Sequence, residues 1–121
     1  MSGYIRNDNH TGLTNWQVVI DALPGKVGVS DIDGIIERKG HFLVMESKNE
    51  LEKLPQGQAI LLEQLSRIEK FTVLLVHMNT RDGHIFAYQK CVMGEWSQLY
   101  YVDNLTFSEK ISQWFRVVDR C

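Results

Sequence analysis

The sequence predicts an α/β domain in which helices flank a mixed β-sheet. Residues 41–78 have the pattern of a strand, a helix and a strand in turn, a unit that gives two parallel strands joined by a right-handed crossover. Two alternating apolar segments around Arg38-Lys39-Gly40, a turn signal, predict an antiparallel hairpin before this unit. A capping box at Thr106-Phe107-Ser108-Glu109 opens a last amphipathic helix. Parallel and antiparallel pairing together predict the mixed sheet.

The remaining elements follow from the apolar pattern and the turn residues. Strands are predicted over residues 27–37, 41–48, 71–78, 84–90 and 96–102. Helices are predicted over residues 14–23, over residues 55–69 and from residue 106 onward, with Thr14 and Thr106 as N-caps. Pro55 suits the first turn of the second helix. Residues 71–78 are nearly all apolar, which is typical of a strand covered on both faces.

Composition limits the class of protein. The chain has 121 residues, 44% of them hydrophobic and 23% charged, as in ordinary soluble domains. We therefore expect one domain over residues 1–121 and exclude disordered and low-complexity chains. Cys91 and Cys121 are too few for a disulfide framework or a zinc site. No apolar run approaches the ~18 residues of a membrane span, and no signal-peptide pattern is visible, so we expect a cytoplasmic protein with no membrane partner.

Charged side chains of the first hairpin are predicted to lie close together. If residues 39–40 form a two-residue loop, Asp33 lies opposite Glu46 and Asp31 lies opposite Lys48. Opposed residues share a sheet face, with Cβ atoms ~5 Å apart. Glu46 and Lys48 share that face because strand side chains repeat every two residues. A four-residue loop gives the same register, whereas a three-residue loop breaks it unless a bulge restores it.

This arrangement favours phosphodiester chemistry. Two facing carboxylates are costly by themselves, because like charges this close oppose joint ionisation. A divalent cation removes that cost, and Mg²⁺ takes oxygen ligands while keeping several waters. Asp33 and Glu46, with a backbone carbonyl, are therefore candidate Mg²⁺ ligands. A lysine beside the metal, Lys48, would orient an attacking water and stabilise charge on a phosphate.

The same residues also have a structural interpretation. A cluster of Asp, Glu and Lys on a strand face is usually a solvated surface with weak ion pairs, and the chain would then be a plain interaction domain. The surrounding residues argue for a central strand pair instead, where bare charge is rare. They are Ile32, Gly34, Ile36, Leu43, Val44 and Met45. The histidines show no paired metal spacing and are interpreted as structural.

The segment Asp31-Ile32-Asp33-Gly34, followed by Phe42-Leu43-Val44-Met45-Glu46-Ser47-Lys48-Asn49, resembles the PD-(D/E)XK nuclease superfamily. It is most similar to compact members such as the nuclease-related and phage-encoded groups. That pattern is an acidic residue at a strand start, then an acid-x-Lys triplet on the next strand. Asp33 fits the first position and Glu46-Ser47-Lys48 fits the triplet, while Ile32 stands where the family has proline. The resemblance implies a restriction-endonuclease-like core, α-β-β-α-β, with a C-terminal β-hairpin and helix.

The resemblance also implies a function and a set of site residues. The function is that of a Mg²⁺- or Mn²⁺-dependent DNA endonuclease or exonuclease, with the 3′ oxygen as leaving group. Asp33 and Glu46 hold the metal with the carbonyl of Ser47, and Lys48 activates water. Asp31 holds a second metal or pairs with Lys48.

The helix after the triplet often carries a glutamine facing the site in this superfamily. Gln58 is the first candidate and would orient water or a backbone phosphate; Gln56 is the second.

The expected partner is DNA of undetermined form. The net charge of −2 does not by itself indicate a basic nucleic-acid-binding surface. Even single modules bury ~600–1,000 Å² in specific complexes, which is a large area for so small a chain, so we expect a homodimer or a partner protein to complete the DNA groove. The alternative function is a non-catalytic nuclease-fold module used for binding or regulation.

Overall fold

The computed structural model describes residues 15–25 and 27–121. The chain divides between Asp31 and Ile32 into two compact units. The first unit contains helix α1, Gln17–Asp21, which has Trp16 at its N-cap without a side-chain cap bond. The predicted N-cap, Thr14, lies outside the described residues. The predicted extent of this helix, to residue 23, is wrong because the chain turns at Ala22, before Pro24.

The second unit is a six-stranded sheet with helices packed on it. Its elements are β1 Gly34–Arg38, β2 His41–Asn49, α2 Gln56–Leu65, β3 Phe71–Asn79, β4 His84–Val92, β5 Glu95–Trp96, β6 Tyr100–Tyr101 and α3 Asn104–Asp119. The strand order is β1-β2-β3-β4-β5, and β6 pairs with β4. Strands β2 and β3 are parallel and the other pairs are antiparallel. The predicted α/β class with a mixed sheet is confirmed.

The first hairpin has the predicted register. Lys39 and Gly40 form its loop with φ values of 51° and 81°, the positive angles of the two-residue turn that matches strand twist. Gly34 pairs with Met45. The prediction of a strand from residue 27 is wrong, because β1 begins only at Gly34. The pairing of β1 with β2 ends at Asp33. The Asp33 carboxylate accepts a hydrogen bond from the backbone N–H of Ser47, and this N–H points from β2 towards β1.

The core consists of two clusters on opposite faces of the sheet. Successive side chains of a strand point to opposite faces, so Leu43 and Val44 enter different clusters. On the α3 face the buried residues are Leu43, Leu74, Val76 and Phe107. On the α2 face they are Val44, Leu62, Val73 and Cys91. Strand β3 supplies both clusters, which confirms that it is covered on both faces.

Helices α2 and α3 have boundaries that differ from the predicted ones for local reasons. Helix α2 begins at Gln56 and ends at Leu65, not at residue 69. Directly after its end, the hydroxyl of buried Ser66 donates to the carbonyl of Glu63 at 2.6 Å. Helix α3 begins at Asn104, so Thr106 is not the N-cap. Asp103 takes that place, and its carboxylate accepts the Thr106 N–H at 2.8 Å.

The predicted strand over residues 96–102 is interrupted at Ser97. Its hydroxyl accepts the Lys90 N–H at 2.9 Å, in the place of a backbone carbonyl. The register against β4 then shifts by one residue between β5 and β6. None of the helices in the described part of the chain combines the length and the apolar character needed to cross a bilayer.

Candidate active site

The predicted site lies where β1 begins and β2 approaches its end. Asp33 directly precedes β1, and Glu46 and Lys48 alternate along β2 so that they share one face. Gln58 lies in the first turn of α2, the helix that covers this face. Because β2 and β3 are parallel, their carboxyl ends meet at one edge, which is the usual ligand position in α/β sheets. The structure therefore brings Asp33, Glu46, Lys48 and Gln58 into one region.

Asp33 is held by the residue between the two members of the Glu-x-Lys motif. One oxygen of its carboxylate accepts both the backbone N–H and the hydroxyl of Ser47, each at 2.9 Å. Two donors on one oxygen fix the orientation of an exposed carboxylate. Sequence reasoning assigned Ser47 only a carbonyl ligand and missed these two bonds. The signal for these bonds is a serine directly after the residue that lies opposite Asp33 in the hairpin register.

Glu46 is the buried acid of the site. Its side chain is only 4% exposed, and one carboxylate oxygen accepts a hydrogen bond from the Gln58 amide nitrogen at 2.8 Å. Burial raises the pKa of Glu46, and the negative charge of Asp33 raises it further. Lys48, the backbone N–H of Asp33 and the Gln58 amide oppose this rise. The fold therefore disfavours the charged form of Glu46.

Gln58 links helix α2 to strand β2, but only one end of its amide is satisfied. The amide nitrogen donates to Glu46, while the oxygen Oε1 is buried without a hydrogen-bond partner among the described residues. An unpaired buried acceptor is costly. The alternative candidate, Gln56, is exposed at the start of the helix. Gln58 is thus the glutamine that reaches the site.

Lys48 supplies positive charge without a partner carboxylate in direct contact. Its charge lowers the pKa of Glu46, yet within residues 15–25 and 27–121 the salt bridge is that of Arg38 with Asp119. Lys48, a half-buried residue whose charge acts on the Glu46 carboxylate, is therefore left to contact a further group. Asp31 belongs to the other compact unit, and its predicted role as a second metal ligand or a partner of Lys48 stays a prediction.

The donor set fits a hard cation that keeps most of its water. Asp33 and Glu46 offer carboxylate oxygens, and the orphan Gln58 oxygen can accept from a water molecule. Such a set suits Mg²⁺, which binds through one or two carboxylates plus waters. Among the described residues, no group of three or more Asp, Glu, His or Cys side chains is placed to hold a metal ion. A fully protein-ligated site is thus not formed by them.

A cavity lies on the α3 side of the sheet, where β1 begins. It has a volume of about 300 Å³ and is lined by both acids, by Ser47 and Gly34, and by apolar residues. The apolar residues are Met45, Val76, Met78, Ile85 and Phe107. The Ser47 side chain lies on this face, whereas the Glu46 and Lys48 side chains lie on the α2 face.

A hydrogen-bonded group on the α2 face was also missed by sequence reasoning. Buried His77 contacts the carbonyl of Glu50 through Nδ1 at 3.0 Å and the Gln89 side-chain oxygen through Nε2 at 3.2 Å. Gln89 in turn donates to the carbonyl of Ser97 at 3.1 Å. These contacts agree with the structural interpretation of His77. Its partners were not predictable, because they depend on the interruption of the last strand at Ser97.

Comparisons of this chain with protein-family models, with curated proteins and with solved structures found no match. The assignment of a function therefore depends on the residues of the site.

Proposed function

We propose that the unit over residues 32–121 is a metal-dependent nuclease that hydrolyses phosphodiester bonds of DNA. The observation that supports this most is the placement of Asp33 beside buried Glu46, with Lys48 on the same strand face. Burial raises the pKa of Glu46, and the negative charge of Asp33 raises it further. Folding maintains this unfavourable pair, and a divalent cation is the simplest group that would relieve it.

Each side chain has a role in this proposal. Asp33, held by Ser47, and Glu46, held by Gln58, would bind the metal with the Ser47 carbonyl. Bound Mg²⁺ or Mn²⁺ would supply charge neutralisation and a water of lowered pKa. Lys48 would orient the attacking water and donate to a phosphate oxygen as negative charge develops there.

The reaction is a hydrolysis. A water oxygen forms a bond to phosphorus, and the bond from phosphorus to the 3′ oxygen breaks. One water proton reaches solvent as the 3′ oxygen takes up a proton, so the products carry a 3′ hydroxyl and a 5′ phosphate. Gln58 would accept from a water at the site through its orphan oxygen.

The fold and partners belong to the same proposal. The order β1, β2, α2, β3, with the parallel pair β2 and β3, is compatible with a restriction-endonuclease-like core. We expect a cytoplasmic protein that binds DNA as a homodimer or with a partner protein. Light scattering at high concentration, combined with the cleavage assay, tests this expectation. A strict monomer with full activity would contradict it.

A cleavage assay tests the function. Labelled duplex, single-stranded, flap and junction DNA, and RNA, are incubated with Mg²⁺, with Mn²⁺ or with chelator. We expect cleavage of DNA only with metal, and a loss of at least ~100-fold for Asp33→Ala, Glu46→Ala and Lys48→Ala. Matched controls are Glu95→Ala and Lys90→Ala, which remove exposed charges on β5 and β4. Full activity in any of the three site variants would refute the role given to that residue.

One observation favours a second candidate, a non-catalytic module of the same fold. Each carboxylate already has a protein donor, Ser47 for Asp33 and Gln58 for Glu46, so the cluster would serve as a polar link between β1, β2 and α2. Calorimetric titration with Mg²⁺ and Mn²⁺ separates the candidates. The nuclease should bind metal and lose that binding in Asp33→Ala, whereas a polar link should bind neither ion.

A further inference from the structure

A cavity of about 500 Å³ lies on the α2 face of the sheet, beside the candidate active site. Its lining includes Ala59, Glu63, Leu75, His77, Gln89 and Trp96. Two pairs in the parallel register of β2 and β3 connect it to the site: Leu75 pairs with Glu46, and His77 pairs with Lys48. Paired residues on neighbouring strands share a face, so the cavity opens on the face that carries the Glu46 and Lys48 side chains.

The polar atoms of the cavity floor already have partners. Both ring nitrogens of His77 contact oxygens, those of Glu50 and Gln89. The Gln89 amide nitrogen donates to a carbonyl. The Trp96 indole N–H donates to the Glu63 carboxylate at 2.9 Å. An occupant therefore meets aliphatic and aromatic surface, with few donors or acceptors left for recognition of its polar edge.

The charges of the lining disfavour a phosphate within the cavity itself. Glu52 and Glu63 contribute two carboxylates, and Lys53 is the one Lys or Arg among the lining residues. A phosphate would be repelled there and attracted to Lys48 outside. The lining therefore favours a neutral group with an extended apolar face. A nucleobase has these properties, because every base presents a π-face that stacks on aromatic side chains.

We propose that this cavity receives one unpaired nucleobase of the substrate, next to the phosphate at the Glu46–Lys48 site, and holds it without selecting its identity. The inference rests on the proposed nuclease function and adds a substrate class to it. A base within a duplex cannot enter such a cavity without leaving the stack. The substrate is then single-stranded DNA, or a duplex position whose nucleotide is already displaced.

The test measures base-dependent binding without metal or cleavage. The full chain is titrated with each of the four deoxynucleoside 5′-monophosphates and with deoxyribose 5-phosphate, which lacks the base. Binding is followed by NMR through the indole N–H of Trp96, assigned with Trp96→Phe. We expect the four nucleotides to bind within about threefold of one another. We also expect them to bind at least about tenfold more tightly than the sugar phosphate, the size of effect that stacking of one base produces.

Two variants locate the base. Ala59→Leu adds volume on α2 at the cavity wall and should reduce nucleotide affinity to that of the sugar phosphate. Gln64→Leu, at an exposed position of the same helix, is the matched control and should change nothing. Circular dichroism checks that both variants are folded.

Each other outcome overturns the inference. Equal affinity for nucleotides and sugar phosphate, no binding of either, or base-dependent binding that survives in folded Ala59→Leu would each do so. These results leave the nuclease proposal open to its own cleavage assay. Absence of cleavage on any nucleic acid, with base-dependent binding intact, would instead refute the nuclease and retain the base site.

Discussion

The Gln58 amide on α2 donates a 2.8 Å hydrogen bond to the buried Glu46 carboxylate on β2 and leaves its own oxygen buried without a partner. This hydrogen bond connects the helix that covers the sheet to the buried acid of the site. This hydrogen bond favours the carboxylate form of Glu46. Burial and the charge of Asp33 act in the opposite direction, because both raise the pKa of Glu46. It also places the Gln58 oxygen beside the Glu46 carboxylate, where that oxygen can accept a hydrogen bond from water bound at the site.

Replacement of Gln58 by leucine should destabilise the metal-free protein at neutral pH. Glu46 loses its side-chain donor, and a hydrogen bond to a charged group is worth about 1.5–3 kcal/mol. Removal of the orphan oxygen offsets part of this loss, so we expect a net decrease of about 1 kcal/mol in the free energy of unfolding. Urea titration measures it. Gln64→Leu on the same helix is the control and should stay within about 0.5 kcal/mol of wild type.

The pH dependence of stability should reveal the raised pKa of Glu46. The native state binds the proton more tightly than the unfolded chain. The free energy of unfolding should therefore fall as pH rises above 4.5, the ordinary glutamate value, until the native pKa is passed. Glu46→Gln has no proton to lose and should not show this component. We expect the free energy of unfolding of the variant to exceed that of wild type by about 0.5–2 kcal/mol at pH 7. At pH 4 the two values should be nearly equal.

The comparison of these two proteins isolates one group. Other carboxylates titrate in both, including Asp119, whose pKa the hydrogen bond from Arg38 lowers. Their contributions cancel in the difference between the variant and wild type, which leaves Glu46 together with its repulsion by Asp33. If Glu46→Gln is less stable than wild type at pH 7, Glu46 forms a favourable ion pair with Lys48. That result would favour the structural interpretation of the charged cluster over the catalytic one.

Metal should reverse the order of stability. Excess Mg²⁺ should raise the melting temperature of wild type, because a ligand that binds only the native state shifts the folding equilibrium. It should not raise that of Glu46→Gln, which lacks one carboxylate ligand. Thermal melts of each protein with chelator and with Mg²⁺ measure this. Equal shifts in both proteins would show that the ion binds elsewhere.

The sequence contained enough information for the centre of the site and too little for its surroundings. The two-residue turn at Lys39-Gly40 specifies the hairpin register, and this register correctly places Asp33 near Glu46. The true start of β1 was not predictable, because the β-branched residues after Val27 favour a strand. The pairing of β1 with β2 ends at Asp33, because its carboxylate accepts the hydrogen bond of the Ser47 backbone N–H.

The cavity on the α2 face depends on contacts between distant parts of the chain. Its floor requires Gln89 on β4 to reach both His77 on β3 and the carbonyl of Ser97. The apolar pattern predicts that these segments are strands, but it contains no information on how a side chain on one strand bonds to the next. Such partners are decided by packing across the sheet. The base site therefore emerged only from the folded structure.

Replacement of Ser47 by alanine tests whether the orientation of Asp33 matters for function. The variant removes the hydroxyl that donates to the Asp33 carboxylate at 2.9 Å and keeps the backbone N–H that donates to the same oxygen. Asp33 should stay near the site but sample more orientations, and small misplacements of a reacting group are costly to rate. We expect Mg²⁺-dependent cleavage to fall about 3–10-fold, with stability reduced by no more than about 1 kcal/mol. Ser47→Thr keeps a hydroxyl and should recover most of the rate, whereas Ser112→Ala, on an exposed position of α3, should have no effect. Cleavage at the wild-type rate in folded Ser47→Ala would show that the backbone N–H alone orients Asp33.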